Sequence, residues 1–261
     1  MIIAIDVGNT HLVIGCIDEG GARHVGRFQT NTSATAEEYA IRFKTWFDLS
    51  GIDSGLIDGA IIATVVPPLV SVLRRAIRLL IGKDPLVVGP GIRSGLNIKT
   101  DNPAQVGADM VAGAVASIAK YPLPQIVFDL GTATTASIID QNGVFRGAII
   151  LAGVRTALET LTRNTSQLPA IDLVAPRHVI GTNTVDSMRS GSVFGTAAMM
   201  DGLADRIEEE LGCKTTLVAT GGLSSAITAY CKHHFIQDDD LVLDGLWIIY
   251  QRNQNNGERK N

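Results

Sequence analysis

Two stretches of the 261-residue chain carry the same pattern, an apolar run that ends on an aspartate and then turns through glycine and small polar residues. The first is IIAIDVGNTHLVIG at residues 2–15, and the second is IVFDLGTATTASII at residues 126–139. Glycine lets backbone N–H groups approach a phosphate because it has no Cβ, and threonine adds a hydroxyl donor. The strand-end carboxylates, Asp6 and Asp129, can hold a hydrated cation beside that phosphate. Two copies of the pattern predict a nucleotide site between two related halves.

A third carboxylate, Asp109, could act on the group that receives the phosphate. It follows Gly107 and Ala108 near the predicted start of an Ala-rich helix, where it could face open space and orient or deprotonate a hydroxyl. An aspartate in the first turn of a helix is also a common partner of the helix dipole, so both roles stay open. The segment ATGG at residues 219–222 could seat an adenine or ribose, although a plain strand-to-helix turn has the same pattern.

Other catalytic patterns are missing from the sequence. The chain has no Walker lysine loop, no GxGxxG and no Ser-His-Asp arrangement. Its three cysteines, Cys16, Cys213 and Cys231, show no metal-type spacing, and their odd number indicates a reducing compartment.

Composition narrows the class of protein. The net charge of −4 gives no general attraction to nucleic acid or to an anionic membrane. No uninterrupted apolar run reaches the ~20 residues needed to span a bilayer, and Asp6 interrupts the first apolar run, so we expect no signal peptide. We expect a cytoplasmic protein that contacts neither nucleic acid nor membrane.

Periodicity and turn residues predict the order of the elements. Strands are expected at residues 2–6, 12–18, 23–30, 57–66, 85–88 and 215–220, and on both sides of Gly131 and of an Asn142-Gly143 type I′ turn. Helices are expected from the Thr35–Glu38 capping box to Ser50, after Pro67-Pro68, and at residues 103–121, 152–164, 183–211, 223–233 and 240–253, with the long one interrupted at Gly191 and Gly195. Residues 169–176 are expected to form a loop with one strand-like piece.

Two β-meanders, each followed by helix and strand, predict an α/β fold of two related halves with mixed sheets, helices outside and a cleft between them. The predicted halves span residues 1–105 and 106–253, with a hinge around residues 89–107. Residues 254–261 are predicted to form a disordered polar tail.

The chain resembles type III pantothenate kinases, of the sugar kinase, heat-shock and actin-like superfamily, over nearly its whole length. The blocks that carry the resemblance are AIDVGNT (4–10), TVVPP (64–68), GLNI (95–98), DNPAQVGAD (101–109), DLGTATT (129–135), LTRNTSQLP (161–169), IGTNTVDSMRSG (180–191), ATGGL (219–223) and DDDLVLDGL (238–246). The resemblance implies ATP-dependent phosphorylation of pantothenate, the first step towards coenzyme A, with Mg²⁺ and a monovalent cation, K⁺ or NH₄⁺. It also implies a homodimer in which the partner subunit completes the pantothenate pocket.

The resemblance implies a role for individual residues. Asp109 matches the catalytic base, Asp129 the monovalent-cation ligand, and Asp6 lies near Mg²⁺. The implied ATP contacts are Asp6, Val7, Gly8, Asn9, Thr10, His11, Leu12, Val13 and Thr132. The implied pantothenate contacts are Thr100, Gly107, Ala108, Asp109, Met110 and Thr184.

Three positions depart from the family pattern, which has Arg at Met110, Tyr at Thr100 and Pro at Ala152. Methionine cannot replace the fixed cation and five donors of arginine, so pantothenate affinity is open. These departures favour one alternative, a non-catalytic regulatory or accessory protein that keeps nucleotide binding, whereas Asp109 argues against it. A second alternative is a phosphatase that uses water as acceptor, but the phosphate turns lack further acidic residues.

Overall fold

The structure is a computed structural model that describes residues 1–254. The predicted tail, residues 254–261, lies outside the described residues except for Gln254, which ends a helix. The chain forms two compact units. Unit 1 contains Met1–Asn97, Asp101–Ala119 and the described residues from Asp240 onward, and unit 2 contains Ile98–Thr100 and Lys120–Asp239.

Strands and helices mix along the chain, as predicted for an α/β fold. The strands are β1 (Ile2–Val7), β2 (His11–Asp18), β3 (Gly21–Gln29), β4 (Gly59–Thr64), β5 (Leu86–Val87), β6 (Asn97–Ile98), β7 (Gln125–Leu130), β8 (Ala133–Ile139), β9 (Val144–Ala152), β10 (Thr216–Thr220) and β11 (Ile236–Gln237). The helices are α1 (Ala36–Ser50), α2 (Leu69–Ile81), α3 (Ala108–Lys120), α4 (Val154–Arg163), α5 (Thr184–Leu211), α6 (Ser224–Thr228) and α7 (Leu241–Gln254).

The two sheets repeat one topology. In unit 1 the strand order is β3-β2-β1-β4-β5, and in unit 2 it is β9-β8-β7-β10-β11, with β6 added beside β9. In each sheet a three-stranded antiparallel meander continues into parallel strands, β1-β4-β5 and β7-β10-β11. The predicted mixed sheets are therefore confirmed, and β1 and β7 occupy equivalent central positions.

The core of unit 1 lies between its sheet and the helices α1 and α2. The capping box at the start of α1 is present, because Thr35 Oγ1 accepts the Glu38 N–H at 3.3 Å and Glu38 accepts the Thr35 N–H at 2.6 Å. Gly51 ends the helix with φ +68°, in the left-handed region that glycine tolerates best. Aromatic rings of Tyr39 and Phe43 are fully buried beneath the sheet.

Helices α3 and α7 belong to unit 1, which differs from the predicted boundary at residues 105 and 106. The cause is close helix packing: a methyl group built at Gly245 of α7 would overlap the backbone of Ala112 in α3. In addition, α7 packs on β1, β2 and β4 of the same unit. Glycine at 245 allows this approach, which a boundary estimated from chain order cannot include.

The turn before β9 also differs from its prediction. A type I′ turn needs positive φ at both central residues, but of Asn142 and Gly143 only Gly143 has it, at +73°. Instead, the Gly143 N–H donates to the Asp140 carbonyl, and the Asp140 carboxylate accepts the N–H groups of Asn142 and Val144. The hairpin pairing of β8 with β9 is nevertheless as predicted.

Helix α5 runs for 28 residues without the predicted breaks at Gly191 and Gly195. Both glycines are exposed, and the cost of about 1 kcal/mol that each adds is small against the buried packing of neighbours such as Val193 and Ala197. The loop at residues 169–176 contains no strand, contrary to the strand-like piece expected there. Helix α6 is shorter than predicted, and β11 follows it.

None of the helices within residues 1–254 combines the length and apolar character required to cross a bilayer.

Candidate active site

The first predicted phosphate turn joins β1 to β2 in unit 1. The Gly8 N–H donates to the His11 carbonyl at 2.9 Å, which closes the turn and leaves Asn9, Thr10 and His11 exposed. Thr30, just after β3, holds the turn from one side: its hydroxyl donates to the Gly8 carbonyl at 2.7 Å. Its N–H donates to the Thr10 carbonyl at 2.9 Å. The turn is therefore a fixed, exposed loop of backbone and hydroxyl groups.

Two of the implied ATP contacts, Val7 and Leu12, have fully buried side chains in the core of unit 1. Asp6 is only partly buried and is the next-to-last residue of β1, where it pairs with Val13 of β2 and Ala63 of β4. A ligand at this turn could meet Val7 and Leu12 only through their backbone.

The second turn joins β7 to β8 in unit 2 and is one residue shorter. The Gly131 N–H donates to the Ala133 carbonyl at 3.0 Å, and Gly131, Thr132 and Ala133 are exposed. The start of α4 holds this turn, because the Thr132 carbonyl accepts the Gly153 N–H at 3.0 Å and the Thr156 hydroxyl at 2.8 Å. A methyl group at Gly153 would lie 2.5 Å from the Thr132 carbonyl oxygen, so only glycine fits there.

Asp129 lies at the end of β7, where three strands place oxygen atoms on one face of the sheet. By register, Thr135 of β8 and Thr220 of β10 lie directly beside it. Gly221 follows Thr220 and turns its bare side towards the Asp129 carboxylate. The side of Gly221 that lacks a Cβ therefore contacts Asp129 and Leu130 of the same unit. The adenine site expected at residues 219–222 stays a prediction.

Asp109 lies in the first turn of α3, which belongs to unit 1. Its Oδ1 accepts the N–H of Met110 at 2.8 Å, and a methyl group at Gly107 would overlap that oxygen. Burial raises the pKa of Asp109, and the hydrogen bonds from the backbone N–H groups of Met110 and Asp109 only partly oppose this. A carboxylate with a raised pKa beside a bare glycine has the properties of a general base.

The other implied pantothenate contacts lie in unit 2. Thr184 is exposed at the start of α5, which Asn183 caps by accepting the Asp186 N–H at 2.9 Å. The Thr100 hydroxyl oxygen is buried and has no hydrogen-bond partner among the described residues. An orphaned buried hydroxyl costs about 1–3 kcal/mol, which a bound polar group would offset. Gly107 to Met110 lie in the other unit, so neither unit contains the whole implied set.

The oxygen-rich environment of Asp129 fits a hard monovalent cation, because carboxylate, hydroxyl and carbonyl oxygens are the donors such ions prefer. A divalent ion has a smaller protein ligand set: within residues 1–254 no group of three or more His, Cys, Asp or Glu side chains could hold a metal. Mg²⁺ at Asp6 would thus need phosphate oxygens and water, which is its usual coordination at nucleotides.

The two turns lie where the sequence predicted them, whereas the role of Asp109 stays a prediction. Thr30, Gly153 and Thr156 were not predicted to contact the turns. These residues act on the turns from elements distant in the chain, so no local pattern marks them. The only available signal was a glycine, Gly153, in the first turn of the helix predicted at residues 152–164. The structure places it at the N-cap of α4, where serine or aspartate is commoner.

The fold is that of actin-like ATPases and sugar kinases. Solved structures that align over nearly the whole chain include a Baf-family transcriptional activator from Campylobacter jejuni, with TM-score 0.63, 18% identity and coverage of 97% and 100% of the two chains. A second is the 2-hydroxyisocaproyl-CoA dehydratase activator from Clostridium difficile with bound ADPNP, with TM-score 0.55, 12% identity and coverage of 100% and 98%. A third is a ROK hexokinase from Thermus thermophilus, with TM-score 0.50, 13% identity and coverage of 97% and 99%. At these identities the likeness concerns the fold alone.

Within that fold, the chain belongs to the type III pantothenate kinase family, whose sequence model matches residues 2–206. The type III pantothenate kinase of an Exiguobacterium strain is 41% identical over 254 residues, covering 97% of this chain and 100% of the relative. That of Halalkalibacterium halodurans is 39% identical over 253 residues, with the same coverage. The resemblance stated from the sequence is confirmed.

Proposed function

We propose that the protein transfers the γ-phosphoryl group of ATP to the terminal hydroxyl of pantothenate, giving 4′-phosphopantothenate and ADP in the first step of coenzyme A biosynthesis. The observation that supports this best is the pair of exposed Gly/Thr turns at equivalent strand ends, each following an aspartate, in a chain of this family. We expect this reaction to take place in the cytoplasm.

The two turns supply N–H and hydroxyl donors for the phosphates of ATP. Because the transition state of phosphoryl transfer is loose, the main tasks are to position the reactants and to stabilise charge. Thr30 and the start of α4 serve the first task by fixing the turns. Mg²⁺ near Asp6 and a monovalent cation at Asp129, when bound, supply positive charge at the phosphates.

Asp109 accepts the hydrogen of the pantothenate hydroxyl and takes the proton as the new P–O bond forms. Its partial burial and raised pKa make the carboxylate a stronger base than an exposed aspartate. Met110, beside it, lacks the charge of arginine, so substrate binding relies on backbone groups of residues 107–110 and on the hydroxyls of Thr100 and Thr184.

The experiment that tests the proposal is ADP release with ATP alone and with ATP plus pantothenate. A kinase releases ADP at a rate that rises with pantothenate and saturates. Release that ignores pantothenate would indicate the phosphatase, and no release with normal ATP binding would indicate the accessory protein. No observation in the structure or among the relatives favours either alternative.

We expect kcat/KM for pantothenate to rise with pH on its acid side, with an apparent pKa above that of an ordinary aspartate. The base works only when ionised, and burial raises the pKa of Asp109, so activity is lost as pH falls through the raised value. Steady-state kinetics across pH checks this. The residual activity of Asp109→Asn should no longer fall at low pH. If it still falls with the same apparent pKa, another group causes the pH dependence.

We further propose a homodimer that pairs through α5, so that Thr184 of one subunit completes the site of the other. Three large apolar side chains of the same unit are exposed to solvent in the single chain: Val179 is 66% exposed, Ile180 82% and Ile150 71%. A partner subunit would cover such side chains, which supports the dimer. On α5, Gly191 and Gly195 have no atoms within 4 Å of a built Cβ, which leaves room for a second helix.

Gly195→Arg should convert the dimer to a monomer and abolish most pantothenate-dependent turnover. The unit itself has space for the side chain, so the fold should survive, whereas a partner helix would meet a large charge. Sedimentation at micromolar concentration measures this, with Glu210→Arg at the exposed end of the same helix as control. A fully active monomeric wild type would refute the proposal.

A further inference from the structure

Gly221 approaches Asp129, the proposed cation ligand, from a position more than ninety residues further along the chain. A methyl group built at Gly221 would overlap Asp129 Oδ1 and would lie 2.7 Å from the Leu130 nitrogen and 2.8 Å from its carbonyl carbon. Real Cβ atoms do not approach this closely, so any side chain at residue 221 must displace something. Gly221 also has φ +92°, which by itself disfavours other residues.

The backbone on both sides of this contact is fixed. Leu130 is the last residue of β7, where it pairs with Thr134 of β8, and its side chain is 1% exposed. On the other side, the Gly221 carbonyl accepts the N–H of the buried Ser224 at 3.0 Å, where α6 begins. Of the three atoms nearest to the built methyl group, only Asp129 Oδ1 belongs to a side chain, so a larger residue at 221 would push the carboxylate out of its observed orientation.

We propose that Gly221 is a positioning residue that sets the orientation of the Asp129 carboxylate and thereby the affinity for the monovalent cation. This rests on the proposed function, in which Asp129 holds that cation. Gly221 touches neither nucleotide nor pantothenate in this role and acts through the contact with Asp129. Residues that orient a ligand from outside its coordination shell typically change metal affinity by about 10- to 100-fold.

The test compares Gly221→Ala with Gly212→Ala in the full-length protein. Gly212 lies in the same unit and has a similar φ of +70°, but nothing lies within 4 Å of a Cβ built on it. Alanine at 212 therefore introduces the same kind of backbone strain without a contact to a carboxylate. Two readouts are measured as K⁺ replaces tetramethylammonium at constant ionic strength: the rise in Tm and the kinase rate.

We expect the K⁺ concentration at half-effect to rise at least about tenfold in Gly221→Ala by both readouts. In Gly212→Ala it should equal that of the wild type, even where Tm falls. Equal K⁺ midpoints in the two variants would overturn the proposal. If the wild type does not phosphorylate pantothenate, the proposed function fails, whereas the Tm readout still decides the role of Gly221; a Tm unaffected by K⁺ in the wild type overturns that role.

A double-mutant cycle covers the case in which Gly221→Ala is too unstable to assay. If the methyl group acts through the carboxylate, Gly221→Ala should lose less stability in an Asp129→Ala background than in the wild type, because the clashing oxygen is gone. Urea unfolding of the four proteins measures the coupling. Additive effects would contradict the proposed contact and its role.

Discussion

Asp109→Asn is expected to lower kcat by about 10²- to 10⁴-fold, which is the usual contribution of a positioned base. The asparagine keeps the shape of the side chain but cannot accept the proton of the pantothenate hydroxyl. KM for ATP should change little, because the proposed ATP contacts lie on the β1–β2 and β7–β8 turns. Steady-state kinetics with each substrate varied in turn separates the two effects.

The same substitution should leave the protein as stable as before or more stable. Burial raises the pKa of Asp109, so the ionised form opposes folding at pH values above that pKa, and asparagine removes the charge. The matched control is Asp244→Asn, since Asp244 also lies partly buried in the first turn of a helix, α7, of the same unit. If Asp109→Asn keeps near-full kcat, or if the control loses as much kcat, Asp109 is not the base and only stabilises the start of its helix.

Asp129→Ala is expected to abolish activation by K⁺ or NH₄⁺ together with most ATP binding. The substitution removes the Asp129 carboxylate, and its register partners Thr135 and Thr220 offer only neutral oxygens. Calorimetric titration of ATP in K⁺ and in tetramethylammonium measures the binding, and the kinase rate in the same two salts measures the activation. The change concerns binding, in contrast to the loss of turnover expected at Asp109.

The control for Asp129 is Asp172→Ala, an exposed aspartate of the same unit that lies in a loop. It removes one negative charge without touching the strand end, so its K⁺ dependence should match that of the wild type. Retained K⁺ activation in Asp129→Ala would show that the cation binds elsewhere.

Local patterns in the sequence predicted the features that depend on neighbouring residues. A few consecutive side chains determine each of these features: the capping box of Thr35 and Glu38, the helix end at Gly51, and the turns after Asp6 and Asp129. The physical reason is that caps and hairpins close their hydrogen bonds within about four residues.

Features that depend on distant contacts could not be predicted in this way. Gly191 and Gly195 looked like helix breaks, but tertiary packing of the rest of α5 outweighs their low propensity. The place of α3 in unit 1 depends on Gly245 lying against Ala112, more than a hundred residues away in sequence. Likewise Gly153 and Gly221 look like ordinary turn glycines until the close approach of Thr132 and Asp129 is known.

The most direct measurement of the central claim is a mass analysis of the products formed from equimolar ATP and pantothenate. We expect 4′-phosphopantothenate and ADP in a one-to-one ratio, with both lost together in Asp109→Asn. ADP accompanied by free phosphate, with pantothenate unchanged, would contradict it.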